Sequence, residues 1–376
     1  MPQIFRLMIA WWWAIAGLMF AMMFGFNWQS QPGAPGDTSA QHAPAATALP
    51  GLGAKIDETS VSGISSGAYM AGQFQMAQAK IVTGAAIIAG GPYGCSESVF
   101  ADSMPGPGTE FLNLSKAVNG CMLDMLGAWG VGDPDALVAK AKERAGKGDI
   151  DPISDVVGDK VYLFSGTSDH TVMPSIVADA AKYYAKLGVP DANIKFINTL
   201  PAGHAFVTES EGSSCERSGE PYVVHCDYDQ AGELLRHIYG TLQPHAAAPS
   251  GTFQIFDQRP YHTGQMPDGL AENGVIYIPQ ACRAEAGCRI HVAFHGCAQN
   301  REKVGDAFIT ESGFARWADT NKLIVLFPQV ASTLSNSQGC WDWWGYTGHD
   351  YLTRKAPQIM TVRRMLDALH QPASQS

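Results

Sequence analysis

Gly63-Ile64-Ser65-Ser66-Gly67 stands directly after a strand-like run, residues 55–62, and directly before residues 68–77, which read as a helix. A serine on a sharp strand-to-helix turn presents its hydroxyl at the edge of a sheet, and flanking glycines let helix and strand cross closely beneath it. This nucleophile elbow predicts an α/β fold and makes Ser65 the first candidate nucleophile. The pattern alone is weak: with 40 Gly in 376 residues, Gly-x-Ser-x-Gly arises by chance about 0.3 times. Its setting and its partners carry the argument.

Strand and helix patterns alternate downstream. Residues 81–88, 160–164 and 194–200 read as strands, and residues 135–145, 177–187 and 230–239 as helices. After a Pro/Ala/His-rich break at 244–251, residues 274–279, 289–294 and 323–327 read as strands, and 314–320 and 357–369 as helices. Such alternation predicts a mainly parallel sheet. The part after the break has too little helix to cover a sheet alone, so residues 55–376 are expected to form one catalytic domain.

Ahead of that domain, residues 7–26 carry no charge, include Trp11-Trp12-Trp13 and follow a lone Arg6. Residues 1–28 read as a membrane anchor or as an export signal cleaved further on, and either reading exports the rest to a periplasmic or extracellular location. Residues 29–54, rich in Pro, Gly, Ala, Ser and Thr, are expected to be a flexible linker. The formal charge of −10 and the lack of a basic run argue against a nucleic-acid partner. A neutral or cationic substrate suits this surface better.

Eight cysteines lie between positions 95 and 340, an even number in a chain that leaves the cytoplasm, and read as disulfides. Local spacing suggests Cys215 with Cys226 and Cys282 with Cys288, leaving Cys95 with Cys121 and Cys297 with Cys340 as longer closures; spacing alone leaves the connectivity open. Cys/His pairs at zinc-ligand spacing are lacking.

A serine hydroxyl needs a base, and the base a third group that fixes its tautomer. Asp169 follows the strand 160–164, and His204 follows the strand 194–200. Active sites of open α/β sheets form at that carboxyl edge. The order Ser65, Asp169, His204 is that of α/β-hydrolases. Acyl transfer also needs two N–H donors for the developing oxyanion. One is the amide of Ser66, next after the nucleophile. The loop that normally supplies the other precedes the elbow, yet His295-Gly296-Cys297 stands late, after the strand 289–294. Moving residues 251–370 in front of residue 55 restores the usual order, so the fold is read as a circularly permuted α/β-hydrolase with neighbouring ends. The Cys297 amide becomes the second donor, and a Cys297–Cys340 disulfide would stiffen its loop. Trp341, Trp343 and Trp344 read either as apolar surface at the site mouth or as core.

Together, Gly-Ile-Ser-Ser-Gly-Ala-Tyr-Met, Gly-Thr-Ser-Asp-His-Thr-Val, Ala-Gly-His-Ala-Phe, His-Gly-Cys and Cys-Trp-Asp-Trp resemble the extracellular polyhydroxybutyrate depolymerases whose lipase box comes early and oxyanion loop late. The resemblance covers about residues 55–370. It implies Ser65 as nucleophile, Asp169 as acid, His204 as base, the Ser66 and Cys297 amides as oxyanion donors, and Trp343 with Trp344 in the polymer-binding crevice. Neither metal nor cofactor is implied. Secreted members commonly carry an adsorbing domain after the catalytic part, whereas this sequence ends at Ser376, so soluble oligomers or amorphous polymer are the expected substrates. The competing expectations are a carboxylesterase for small or plant-derived aromatic esters and an inactive exported binding protein.

Overall fold

The computed structural model describes residues 46–98 and 106–373. The expected anchor or signal, residues 1–28, lies outside them, as does most of the expected linker. Among the described residues no helix is long and apolar enough to cross a membrane. Eleven strands occur among them: β1 Lys55–Ile64, β2 Val82–Ile88, β3 Lys160–Phe164, β4 Ile194–Ile197, β5 Phe206–Thr208, β6 Ser213–Ser214, β7 Val223–His225, β8 Thr252–Asp257, β9 Asn273–Ile278, β10 Arg289–Phe294 and β11 Leu323–Phe327. The longer helices are α1 Ser66–Ala77, α2 Pro107–Cys121, α3 Pro134–Lys147, α4 Pro174–Leu187, α5 Gln230–Tyr239, α6 Phe314–Asn321 and α7 Pro357–His370.

Eight strands form one sheet in the order β4-β3-β2-β1-β10-β11-β9-β8, and β5, β7 and β6 form a small second sheet. The six strands from β4 to β11 are parallel, while β9 and β8 pair antiparallel at one edge. Parallel strands covered on both faces read as continuous apolar runs, as in the wholly buried Leu323–Phe327. Alternate side chains serve opposite faces: Val161 and Leu163 join α1, α4 and α7 in one core, and Tyr162 and Phe164 join α5 and α6 in the other. All twelve residues of α1 are buried, so this helix is covered on every side rather than amphipathic, and its Gln73 and Gln75 side chains are satisfied by hydrogen bonds to Asp342 O, Asp159 and Tyr184.

The two ends meet. The amides of Leu52 and Ala54 donate to the Leu369 carbonyl and that of Gly53 to the Gln371 carbonyl. This is the seam that a circularly permuted α/β-hydrolase requires. Two expectations need correction. Residues 46–54, read as part of the linker, are packed, with Leu49 and Leu52 buried and Thr47 bridging to Phe256. The strand expected over 194–200 ends at Ile197, because the Leu200 and Ala202 carbonyls turn to accept the amides of Thr167 and Ser168. Helix α2 and edge strand β8 lacked a pattern: α2 exposes Phe111, Leu112 and Leu114.

The central pair β1/β10 is pinned by a buried polar chain. His291 on β10 bonds Ser60 Oγ through Nδ1 at 2.6 Å and Ser62 Oγ through Nε2 at 2.8 Å, and Tyr239 donates to Ser60 Oγ at 2.8 Å. Burial depresses the His291 pKa to about 3, below the roughly 6.5 of an unfolded chain. The folded state therefore holds His291 neutral, and its contribution is complete above about pH 6.5 and lost as pH falls from there toward 3. Between pH 6.5 and 4, the urea-unfolding free energy should depend on pH less steeply in His291→Gln than in the parent chain, by about 1.4 kcal/mol per pH unit.

Candidate active site

The last residues of four strands lie in one row: Ile64 pairs Ile88, Ile88 pairs Phe164, and Phe164 pairs Ile197. Hydrogen bonds continue the row beyond the strands, from the Ser65 amide to Ile88 O, Ala89 to Phe164 O and Ser165 to Ile197 O. Ser65, Asp169 and His204 leave the sheet along this one carboxyl edge.

Ser65 adopts φ 56° and ψ −122°, a sparsely populated positive-φ conformation that costs a side-chain-bearing residue about 1–3 kcal/mol. Its surroundings enforce it. A methyl group on Gly63 would sit 2.0 Å from Gly67 O, and one on Gly67 would sit 2.3 Å from Phe294 O and 2.4 Å from His295 O. The first contact sets the tightness of the turn, the second the approach of α1 to the strand that leads into the His295-Gly296-Cys297 loop.

Asp169 is 1% exposed. Its Oδ1 accepts the amides of Thr171 at 2.8 Å and Val172 at 3.0 Å, while Oδ2 meets His204 Nδ1 at 2.8 Å. That division of labour holds the carboxylate still and leaves the other ring nitrogen of His204 outside this bond. The loops carrying Asp169 and His204 are laced together: a methyl on Gly166 would meet Ala202 O at 2.0 Å. The His204 amide donates to Ser218 Oγ at 2.8 Å, and the Tyr222 ring stands edge-on to the imidazole, 6.5 Å between centroids. Ser65 and His204 share this edge without a hydrogen bond between hydroxyl and imidazole among the described residues, a separation common before substrate binds.

Gly296 lies against the elbow, its would-be methyl position 3.4 Å from Ser65 Cβ and 3.4 Å from Ile64 O. His295 orients the peptide between Gly296 and Cys297: its Nδ1 bonds Gly296 O at 2.8 Å, and its Nε2 accepts the Val330 amide at 3.2 Å. Because Nε2 accepts, the proton sits on Nδ1, and burial keeps the ring neutral with its pKa lowered to about 4. With Gly296 O held on one side, the Cys297 N–H of the same planar peptide points to the other. Among the described residues neither the Ser66 nor the Cys297 amide donates to another protein group. All eight cysteines are paired: Cys95–Cys121, Cys215–Cys226, Cys282–Cys288 and Cys297–Cys340. The last ties the His295-Gly296-Cys297 loop to the tryptophan turn.

That turn wraps a buried carboxylate. Asp342 accepts the amides of Trp344, Gly345, Tyr346 and Thr347 and the Thr347 hydroxyl. Trp341 is 0% exposed, packs on Phe294 and His295 and donates its amide to Ser66 Oγ. It supports the elbow and offers no surface to a substrate, which corrects its reading as a mouth residue. Trp343 stacks on Tyr69 at 4.1 Å, and Trp344 packs on Tyr346; they keep 5% and 8% exposure. Among the described residues no cluster of His, Cys, Asp or Glu is placed to hold a metal ion. Neither His295's ring bonds nor the Ser218 and Tyr222 contacts to His204 were legible from the sequence, since nothing local marks them.

A serine on such an elbow, in this sheet, defines the class: a serine hydrolase of circularly permuted α/β-hydrolase fold. No protein-family model matches the chain. It is 37% identical over 328 residues to the poly(3-hydroxybutyrate) depolymerase of Delftia acidovorans, across 86% of this chain and 62% of that protein. It is 34% identical over 324 residues to the polyhydroxybutyrate depolymerase of Talaromyces funiculosus, across 81% of this chain and 87% of that one. Two solved structures, the PHB depolymerase from Penicillium funiculosum and a serine-to-alanine PHB depolymerase complexed with an R3HB trimer, superpose with TM-scores of 0.74 and 0.75. Both are 30% identical, over 86% of this chain and 99% of theirs. The chain belongs to the polyhydroxybutyrate depolymerase family.

The elbow's geometry is directly testable. Gly67→Ala should lower the urea-unfolding free energy by about 1–3 kcal/mol, because backbone carbonyls cannot move aside cheaply. Gly72→Ala is the control, since the new methyl would find its nearest atoms at 3.7 Å and should stabilise α1 by about 0.5–1 kcal/mol.

Proposed function

We propose that this protein hydrolyses poly- or oligo(3-hydroxybutyrate)-type esters through an acyl-enzyme, with Ser65 as nucleophile, His204 as base and Asp169 as its orienting partner. The observation that carries this reading is the Asp169–His204 bond of 2.8 Å on the strand-end row that also holds Ser65. The His204 Nε2 takes the Ser65 proton as Oγ attacks the ester carbonyl, and the oxyanion collects the Ser66 and Cys297 amides. Collapse expels the alkoxide, which takes the proton from His204; water, activated by the same imidazole, then releases the hydroxyacid and restores Ser65. Support for the substrate class comes from the relatives' names and from the R3HB trimer held by a structure of the same fold. The residual exposed edges of Trp343 and Trp344 suit an apolar ester chain. Four disulfides fit an oxidising compartment outside the cytoplasm.

Fluorophosphonate should label the protein at Ser65, and 3-hydroxybutyrate oligomers should be cleaved faster than phenolic esters. Ser65→Ala should cost on the order of 10⁴-fold or more in kcat with the melting temperature unchanged. Asp169→Asn should cost about 10⁴-fold, because an amide at that position favours the wrong tautomer of His204. Undiminished turnover by Ser65→Ala, or preference for phenolic esters, would overturn the reading.

A further inference from the structure

We propose that Gln299 is a positioning residue that locks the oxyanion loop to the loop carrying the base. Its side chain is 2% exposed and saturated at both ends. Oε1 accepts the Gly296 amide at 2.8 Å, and Nε2 donates to Tyr222 O at 3.0 Å and Pro221 O at 3.3 Å. One primary amide thus joins the residue that precedes Cys297 to the segment beside His204.

Each end of this bridge is mechanically connected to a group that must be placed. At the oxyanion end, Gly296 O is held by His295 Nδ1 and by the Gln299 amide, and the Ala298 amide donates to Gln338 O. The Gly296 amide completes that set through the Gln299 side chain, so the Gly296 amide and carbonyl and the Ala298 amide, on either side of the Cys297 N–H, are all fixed. At the base end, Tyr222 O also accepts the amide of Phe206, two residues after His204. Tyr222 itself has φ 58°, a conformation that costs about 1–2 kcal/mol and persists only where its surroundings over-determine it. Its carbonyl contacts with Phe206 and Gln299 are two of those determinants. Oxyanion donor and base come from distant parts of the chain, and no strand pairing joins β10 to β5 or β7; the Gln299 amide spans that gap.

The chemistry requires a group that accepts on one side and donates on the other. An amide does both, an ionised carboxylate only accepts, and a protonated carboxyl again does both. This gives a signature that packing alone would not produce. The inference rests on the roles given above to Ser65, His204 and the Cys297 amide. Gln299→Leu should lower kcat for a short 4-nitrophenyl ester by about 10–100-fold, with KM within about twofold and no dependence of the deficit on pH. Affinity for a trifluoromethyl ketone, which forms a tetrahedral adduct, should weaken by the same factor, because misplaced donors are felt in the tetrahedral state. For Gln299→Glu, the ratio of kcat/KM to that of the parent chain should fall as pH rises and the carboxyl ionises against the Tyr222 and Pro221 carbonyls. Should Gln299→Leu fail to fold, Gln299→Glu decides alone. Deficits under threefold, a deficit confined to KM, or a ratio for Gln299→Glu that is flat with pH would overturn the inference while fluorophosphonate still labels Ser65. A parent chain that fluorophosphonate does not label would overturn the underlying reading and this inference together.

Discussion

The structure depends on one close approach: the backbone of Gly67 against the carbonyls of Phe294 and His295. Helix α1 can press on the end of β10 only because no side chain intervenes, and that pressure brings Gly296 beside Ser65. The buried His291–Ser60 and His291–Ser62 bonds act in the same place from within the sheet, fixing how far β10 slides along β1. A one-residue slip in a parallel pair would move every side chain to the opposite face, and here it would also carry the Cys297 amide away from the elbow. Contact and register are two controls on a single distance.

Around that distance the site is built by backbone more than by side chains. The loops carrying Asp169 and His204 are sewn together by the Thr167–Leu200 and Ser168–Ala202 backbone bonds. Trp341 and the Asp342-centred turn brace the far side of the elbow, and the Cys297–Cys340 disulfide joins that brace to the His295-Gly296-Cys297 loop. Preorganisation of this kind matters where charge develops within a low-dielectric site, because fixed dipoles need no reorganisation during the reaction.

Much of this was legible in the residues and some of it was not, for identifiable reasons. The central strands announce themselves because a doubly covered parallel strand is apolar throughout, and the elbow because its glycines have no substitute. The late His-Gly-Cys run revealed the permutation because acyl transfer needs a donor that the early chain does not supply. By contrast, β8 is short, partly exposed and at an edge, and α2 turns large apolar side chains outward, so neither carries the periodicity that burial imposes. Residues 46–54 looked like a tether because composition was read over the whole tract and its two buried leucines were diluted. The tryptophans illustrate a different limit: aromatic content identifies a cluster, whereas the acceptor at its centre, Asp342, determines that the cluster folds inward.

The permutation also bears on synthesis. Ser60 and His291, paired across the centre of the sheet, are separated by 231 positions, and chains emerge from the ribosome amino end first. At about 5–20 residues per second, the serine turn is made roughly 10–50 s before the segment bearing the Cys297 amide exists. Asp169 and His204 are made within that interval, and β10, the strand that pairs with β1 at the centre of the sheet, only near its end. The edge of β1 that β10 covers is thus left without its neighbour until the tail of the chain docks beside the head.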